Sequence, residues 1–263
     1  PGPRPGAVMG GMIFCDINLI SATDPAISWK SCRVLLNLPH SGAPPRRQMP
    51  DFSLEDEVSG PSIGVDEAGR GPWAGPVSVA ACWLDRSVPD NVPAGLDDSK
   101  KLAAARRATL FEQLTAGPHL YSLRHVEVAV IDREGILKAT LAAMAEVAAD
   151  LQSKMISLGY DAPAQTLIDG NQMPPTSMPA RCIVRGDSAS LSIAAASIIA
   201  KHSRDLLMCE LDQSHPGYGW ANNMGYGTKQ HSMAIEQLGI TLHHRRSFAP
   251  VRRYLAAIGG SPT

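Results

Sequence analysis

The chain has 263 residues, 44% hydrophobic and 19% charged, with 24 Lys and Arg against 25 Asp and Glu, a balance that excludes wholesale disorder and suits one soluble domain with at most a small appendage. No run nears the roughly 20 apolar residues of a membrane-spanning helix, and no signal peptide is evident. Its five scattered cysteines form no CxxC, which argues against a disulfide framework or a zinc site and makes a reducing cytoplasm the expected location.

Residues 1–48 carry five basic and two acidic residues, with Pro and Gly clusters and short apolar pieces of no sustained period. The segment up to residue 55 is expected to be a disordered or spurious N-terminal extension, with Met49 a natural start. Ser62–Val65 then reads as a short strand running into Asp66-Glu67, and Val77–Leu84 as a buried one. Between them, Gly71-Pro72 and Gly75-Pro76 exclude a helix. Further on, helical spacing predicts Leu102–Leu114, with the Ser99 hydroxyl near its start, and a long helix over Asp132–Leu158. Strands are expected at Leu120–Val130, Thr166–Ile168 and Arg181–Val184. Ser188–Leu211 is a second long helix, apolar on nearly every side at first, where Ala194, Ala195 and Ala196 let a neighbour approach closely. Two shorter helices follow, at 228–238 and 247–257. The pattern implies a mixed α/β sheet domain over 60–211 and a helical C-terminal part over 212–263. From His215 onward the chain holds five basic residues and one acidic one, a hint of a polyanionic partner that a solvated charged face would equally explain.

Three of the short strands end in acid: Asp66-Glu67, Asp169 and Asp187. Strand ends are where an α/β scaffold fixes side chains while leaving them accessible. Carboxylates gathered there repel one another unless a cation neutralises them. Oxygen ligands in that number suit Mg²⁺ or Mn²⁺, which points to in-line displacement at phosphorus assisted by two metal ions. Taken singly each acid has a bland role: Asp187 could cap the following helix and Asp169 could shape a turn. Gly69-Arg70-Gly71-Pro72-Trp73-Ala74 also spells a dinucleotide-binding fingerprint. That fingerprint needs a helix to open there, which Pro72, Gly75 and Pro76 forbid.

With GVDEAGRGPWAGPV (64–77), LDDSKKL (96–102), LIDGN (167–171), VRGD (184–187), SIAAASIIAKHSRD (192–205), GYGT (225–228) and HHRRSFAPV (243–251), the chain resembles bacterial ribonuclease HII over roughly residues 60–257. The resemblance implies a ribonuclease H-like fold, a mixed five-stranded sheet flanked by helices with a helical C-terminal extension. It also implies hydrolysis of the RNA strand of RNA–DNA hybrids and nicking 5′ to ribonucleotides embedded in duplex DNA, leaving 3′-hydroxyl and 5′-phosphate ends. By position, Asp66, Glu67, Asp169 and Asp187 match the family's metal-holding acids. Adjacent strand residues face opposite ways, so Asp66 and Glu67 are expected to share a site through an irregular turn or a main-chain carbonyl. Gly69, Arg70 and Gly71 match the loop that senses the ribose 2′-hydroxyl, with Arg70 able to pair with a phosphate. Tyr226 matches the tyrosine that packs on the sugar at the RNA–DNA junction, and Ser99 and Lys100 match residues near substrate phosphates. Many relatives carry Lys where this chain has Met224; Lys229, Arg245 or Arg246 could compensate, with a structural role as the alternative for the last two. His243 and His244 are not expected to bind metal. The implied partners are RNA–DNA hybrid and ribonucleotide-containing duplex DNA, met by a monomer. Two rivals remain: a hybrid-binding module without catalysis, which should lack one of the acids, and a transposase-type nuclease, which would not need the Gly-Arg-Gly loop or Tyr226.

Overall fold

The computed structural model describes residues 49–88 and 90–259. Five strands form one sheet: β1 (Ser62–Ala68), β2 (Val77–Trp83), β3 (Leu120–Val126), β4 (Gln165–Asp169) and β5 (Ala180–Ile183), in the order β3-β2-β1-β4-β5. The first three pair antiparallel, and β4 and β5 add in parallel, so the sheet is mixed as expected. The two halves meet at β1, which lies centrally and carries Asp66 and Glu67.

Helix α1 spans Ala104–Ala116, α2 Val128–Glu134, α3 Ile136–Ser157 and α4 Leu191–Ser214. Alternation along the strands sends Val77, Val79 and Ala81 into a core shared with α2 and α3, and Ala80 and Cys82 into one shared with α1 and α4. The approach of α4 to β1 is close. A Cβ on Gly64 would overlap the Ser192 and Ile193 backbone, so only glycine fits there. A third core gathers Ala74, Met208, Tyr218, Trp220, Ala234 and Ile235 beneath the C-terminal helices α5 (Trp220–Asn223), α6 (Lys229–Leu238) and α7 (Ala249–Ala257).

Several expectations need correction. α1 begins at Ala104 without a side-chain cap, because residues 97–101 form their own turn: Asp98 accepts from the Lys100 amide, and Ser99 is buried elsewhere. The strand read to Val130 ends at Val126, and the long helix divides at Gly135, whose φ of 82° lies outside the helical range. α4 is capped by Ser190, which accepts from the Ile193 amide, so Asp187 is not its cap. The expected N-terminal extension falls in two parts: residues 1–48 lie outside the described residues, while 49–55 are described. In that part the Asp51 carbonyl accepts from the Leu191 amide, and Glu55 is only 4% exposed.

Candidate active site

β1, β4 and a 3-10 turn at Gly186–Ser188 bring the acids to one end of the sheet. The Gly186 amide donates to Asp169 Oδ1 at 2.7 Å, which ties the end of β4 to the turn holding Asp187. Asp169 is the common neighbour, for its charge acts on Asp66, Glu67 and Asp187 alike. Asp66 is 4% exposed, and burial drives its carboxyl well above the usual range, with Glu67 and Asp169 adding to the shift. Glu67 is raised mainly by burial, against the opposing pull of Arg70. Asp187 is pushed up to about 6 by burial, then by Asp98 and Asp169. Lys100 sits among these acids. Burial works against its charge, but Asp66, Asp98, Asp187 and Asp169 together raise it.

The irregular turn expected after the first strand follows Ala68, beyond both acids. β1 continues in regular register, Asp66 opposite Ala80 and Glu67 opposite Val79. The longer Glu67 side chain lies by Arg70, 3.3 Å from its guanidinium, so Arg70 is engaged with the acid here and not free for phosphate. Ser99 is 2% exposed, and its hydroxyl pairs with that of Ser197 at 2.8 Å, while Ser197 lies by Asp66 and favours its charged form. The Ser99 hydroxyl is therefore engaged by Ser197 and not presented to a phosphate. Asp98, a fifth acid facing Asp187, was legible only as part of LDDSKKL and had no assigned role.

Beside the acids runs the loop Gly69–Pro76. A Cβ built on Gly71 would lie 3.3 Å from the Tyr226 ring, so that half-exposed ring faces the loop. Gly69 (φ 94°) leaves no room for a Cβ against the Arg204 guanidinium. Sequence reading missed Arg204; of the two roles it left open for Arg245, phosphate contact and structure, the fold shows the structural one. Both arginines are buried, at 1% and 0% exposure, and bond main-chain carbonyls. Met224 takes a left-handed backbone (φ 50°) and packs on the third core, which leaves exposed Lys229 and Arg246 as nearby cations. His244 is buried against His231, away from the acids.

Among the described residues, no set of three or more His, Cys, Asp or Glu side chains is drawn together tightly enough to cage an ion. The donor chemistry nonetheless fits a hard divalent cation. Carboxylates converge, three of them raised by burial and by neighbouring acids, Asp169 in every case, with Lys100 the cation among them. No described helix is long and apolar enough to cross a membrane.

Residues 63–251 match the family model for ribonuclease HII. A ribonuclease HII of Jannaschia sp. is 50% identical over 207 residues, which cover 78% of this chain and 98% of the relative. One of Rhodospirillum rubrum is 50% identical over 210 residues, covering 79% and 93%. Among solved structures, the ribonuclease H2 of Pyrococcus horikoshii OT3 aligns with TM-score 0.63 at 22% identity, over 76% of this chain and 100% of that one. Bst-RNase HIII in complex with Mn²⁺ aligns with TM-score 0.59 at 20% identity, over 76% and 70%. At such identities the structures speak to fold alone, and that fold is ribonuclease H-like, while the sequence matches speak to kinship: the chain belongs to the ribonuclease HII family.

Proposed function

We propose that this protein is a divalent-metal-dependent endoribonuclease that cuts the RNA strand of RNA–DNA hybrids and nicks duplex DNA 5′ to an embedded ribonucleotide. The observation that carries the reading is the convergence of Asp66, Glu67 and Asp187 on Asp169, beside a Gly-Arg-Gly loop faced by Tyr226. Those four acids would hold Mg²⁺ or Mn²⁺. A divalent ion bound there supplies charge to offset the carboxylates and lowers the pKa of an attacking water.

The chain's own groups do the rest. Amides of the Gly69–Gly71 loop meet the ribose 2′-hydroxyl, the group that tells RNA from DNA at one nucleotide. The Tyr226 ring stacks on the neighbouring sugar and so sets which bond is cut. Lys100 lends positive charge for a phosphate, and Arg70, once released from Glu67, can fork onto another. Ser197, paired with Ser99, favours the charged form of Asp66. The products carry 3′-hydroxyl and 5′-phosphate ends. The enzyme works as a monomer in a reducing cytoplasm.

The test is a labelled DNA duplex with one ribonucleotide, incubated with Mg²⁺, Mn²⁺ or chelator. A nick 5′ to the ribonucleotide is expected, lost with chelator. In Asp66→Asn or Asp169→Asn it should slow by about 10²–10³-fold or more, the order seen when a preorganised electrostatic group is removed. An intact duplex under both metals, with folded protein, defeats the reading.

A further inference from the structure

Behind the Gly-Arg-Gly loop lies a guanidinium with no carboxylate partner among the described residues. Arg245 is fully buried, and its fork donates to three main-chain carbonyls: Gly69 at 2.7 Å, Arg70 at 2.9 Å and Gly75 at 2.9 Å. Its own amide donates to the Trp73 carbonyl at 2.8 Å, and the Gly75 amide donates to the His243 carbonyl at 2.9 Å. The loop is thus fastened to the C-terminal segment. Burial and the charge of Arg204 pull Arg245 down to about 9, which still leaves it protonated at neutral pH.

The consequence follows from peptide geometry. No described peptide bond is cis, and in a trans peptide C=O and N–H point in opposite directions. The Gly69 carbonyl shares a peptide with the Arg70 amide, and the Arg70 carbonyl shares one with the Gly71 amide. Drawing both carbonyls inward onto Arg245 turns both N–H groups outward. Arg70 and Gly71 are exposed, and among the described residues neither amide has an acceptor. A cation on the carbonyl side also polarises each peptide and strengthens its N–H as a donor.

We propose that Arg245 is a positioning residue for ribose discrimination: it acts through the Gly69 and Arg70 carbonyls to aim and polarise the Arg70 and Gly71 amides at the 2′-hydroxyl. This rests on the function proposed above. Arg204 provides an internal comparison. It is equally buried and also makes three carbonyl bonds, to Pro76, Met224 and Ala74, but none to Gly69 or Arg70. Lysine, a point donor on a flexible stem, cannot reproduce the fork at either site.

The experiment measures Kd for a duplex with one ribonucleotide and for the matching all-DNA duplex, with Ca²⁺ in place of the catalytic ion. Wild type, Arg245→Lys and Arg204→Lys are compared, with melting temperatures alongside. In Arg245→Lys the ratio of the two Kd values should fall about tenfold, the worth of one good hydrogen bond, while the all-DNA Kd moves by about twofold or less. Arg204→Lys should lose comparable stability and keep its ratio. An unchanged ratio in Arg245→Lys, or an equal fall in Arg204→Lys, overturns the proposal while wild-type discrimination leaves the functional reading standing. No discrimination in the wild type overturns both. Should Arg245→Lys fail to fold, amide proton shifts in the wild type decide. Arg70 and Gly71 should move on adding the ribonucleotide duplex and not the all-DNA one; absence of that difference sinks the proposal.

Discussion

Asp66 holds a position that favours function over stability. A buried carboxylate beside two others costs free energy in the ion-free protein, and its raised protonation range expresses that cost. Asp66→Asn keeps the shape and removes the charge. At neutral pH without divalent ions, the variant is expected to melt about 2–4 °C higher than wild type, the shift that about 1 kcal/mol gives in a chain of this size. Adding Mg²⁺ or Mn²⁺ should raise the wild type and close the gap, since a ligand that binds only the folded state stabilises it. Calorimetry with and without chelator decides, and an Asn variant that melts lower would mean the acids do not repel. Met224 supports a second test. Its side chain packs on the third core and brings no charge beside Tyr226. Met224→Lys should steepen the salt dependence of duplex binding by about one unit of slope, and an unaltered slope would place the residue off the phosphate path.

At the scale of elements, the C-terminal helices are joined by a run of aromatic and histidine side chains whose proton positions follow from their partners. His231 Nδ1 donates to the Tyr226 carbonyl at 2.9 Å, and its Nε2 accepts from Trp220 at 3.1 Å. His244 Nδ1 accepts from the Thr241 amide at 2.9 Å, so its Nε2, 3.1 Å from His231 Nε2, carries the proton and donates. Both rings are therefore neutral in the folded protein. Burial, then the charges of His231 and His243, push His244 down to about 3. A histidine depressed on folding gives stability that is whole above its unfolded pKa and is lost as pH falls below it. The loss from His244 should run from about pH 6.5 downward. His244→Asn should make the acid-side decline in unfolding free energy shallower by about one proton, or about 1.4 kcal/mol per pH unit, measured by denaturant titration from pH 7 to 4. An identical slope would show that His244 titrates freely. The elements themselves were legible where chemistry is local: apolar runs bounded by Gly and Pro mark the strands, and acids at strand ends stand out because their convergence needs a reason. Other features were hidden. Gly135 separates two helices where one was expected across it, and HHRRSF leaves Arg245 between a phosphate contact and a structural role although it is fully buried. Only the tertiary path of the loop shows where that guanidinium goes.

For the molecule as a whole, the question is where the folded body begins. The 3-10 turn at Glu55–Glu57 precedes the sheet and joins it to α4. Glu55 Oε1 accepts from the Ser190 hydroxyl at 2.6 Å and from the Ser192 amide at 2.9 Å, which places a negative charge on the N-terminus of α4. Gln165 donates to the Leu54 carbonyl at 2.8 Å, and Arg181 pairs with Glu57 at 2.8 Å, so the same segment also clasps β4 and β5. Ser190 stands three residues beyond Asp187, and loosening the start of α4 would loosen that acid too. All of these contacts are made by residues after 48. A chain beginning at Met49 is thus expected to match the full chain in melting temperature and nicking rate. A chain beginning at Val58 loses the Glu55 cap and should be destabilised by about 2–4 kcal/mol. It should also need more divalent ion for half-maximal nicking, because Asp187 is held less firmly. Thermal melts and metal titrations of the three lengths separate the cases. If the Val58 chain matches the other two in both, the Glu55 cap contributes nothing to the fold or the site; if the Met49 chain already fails, residues 1–48 contribute to folding or activity.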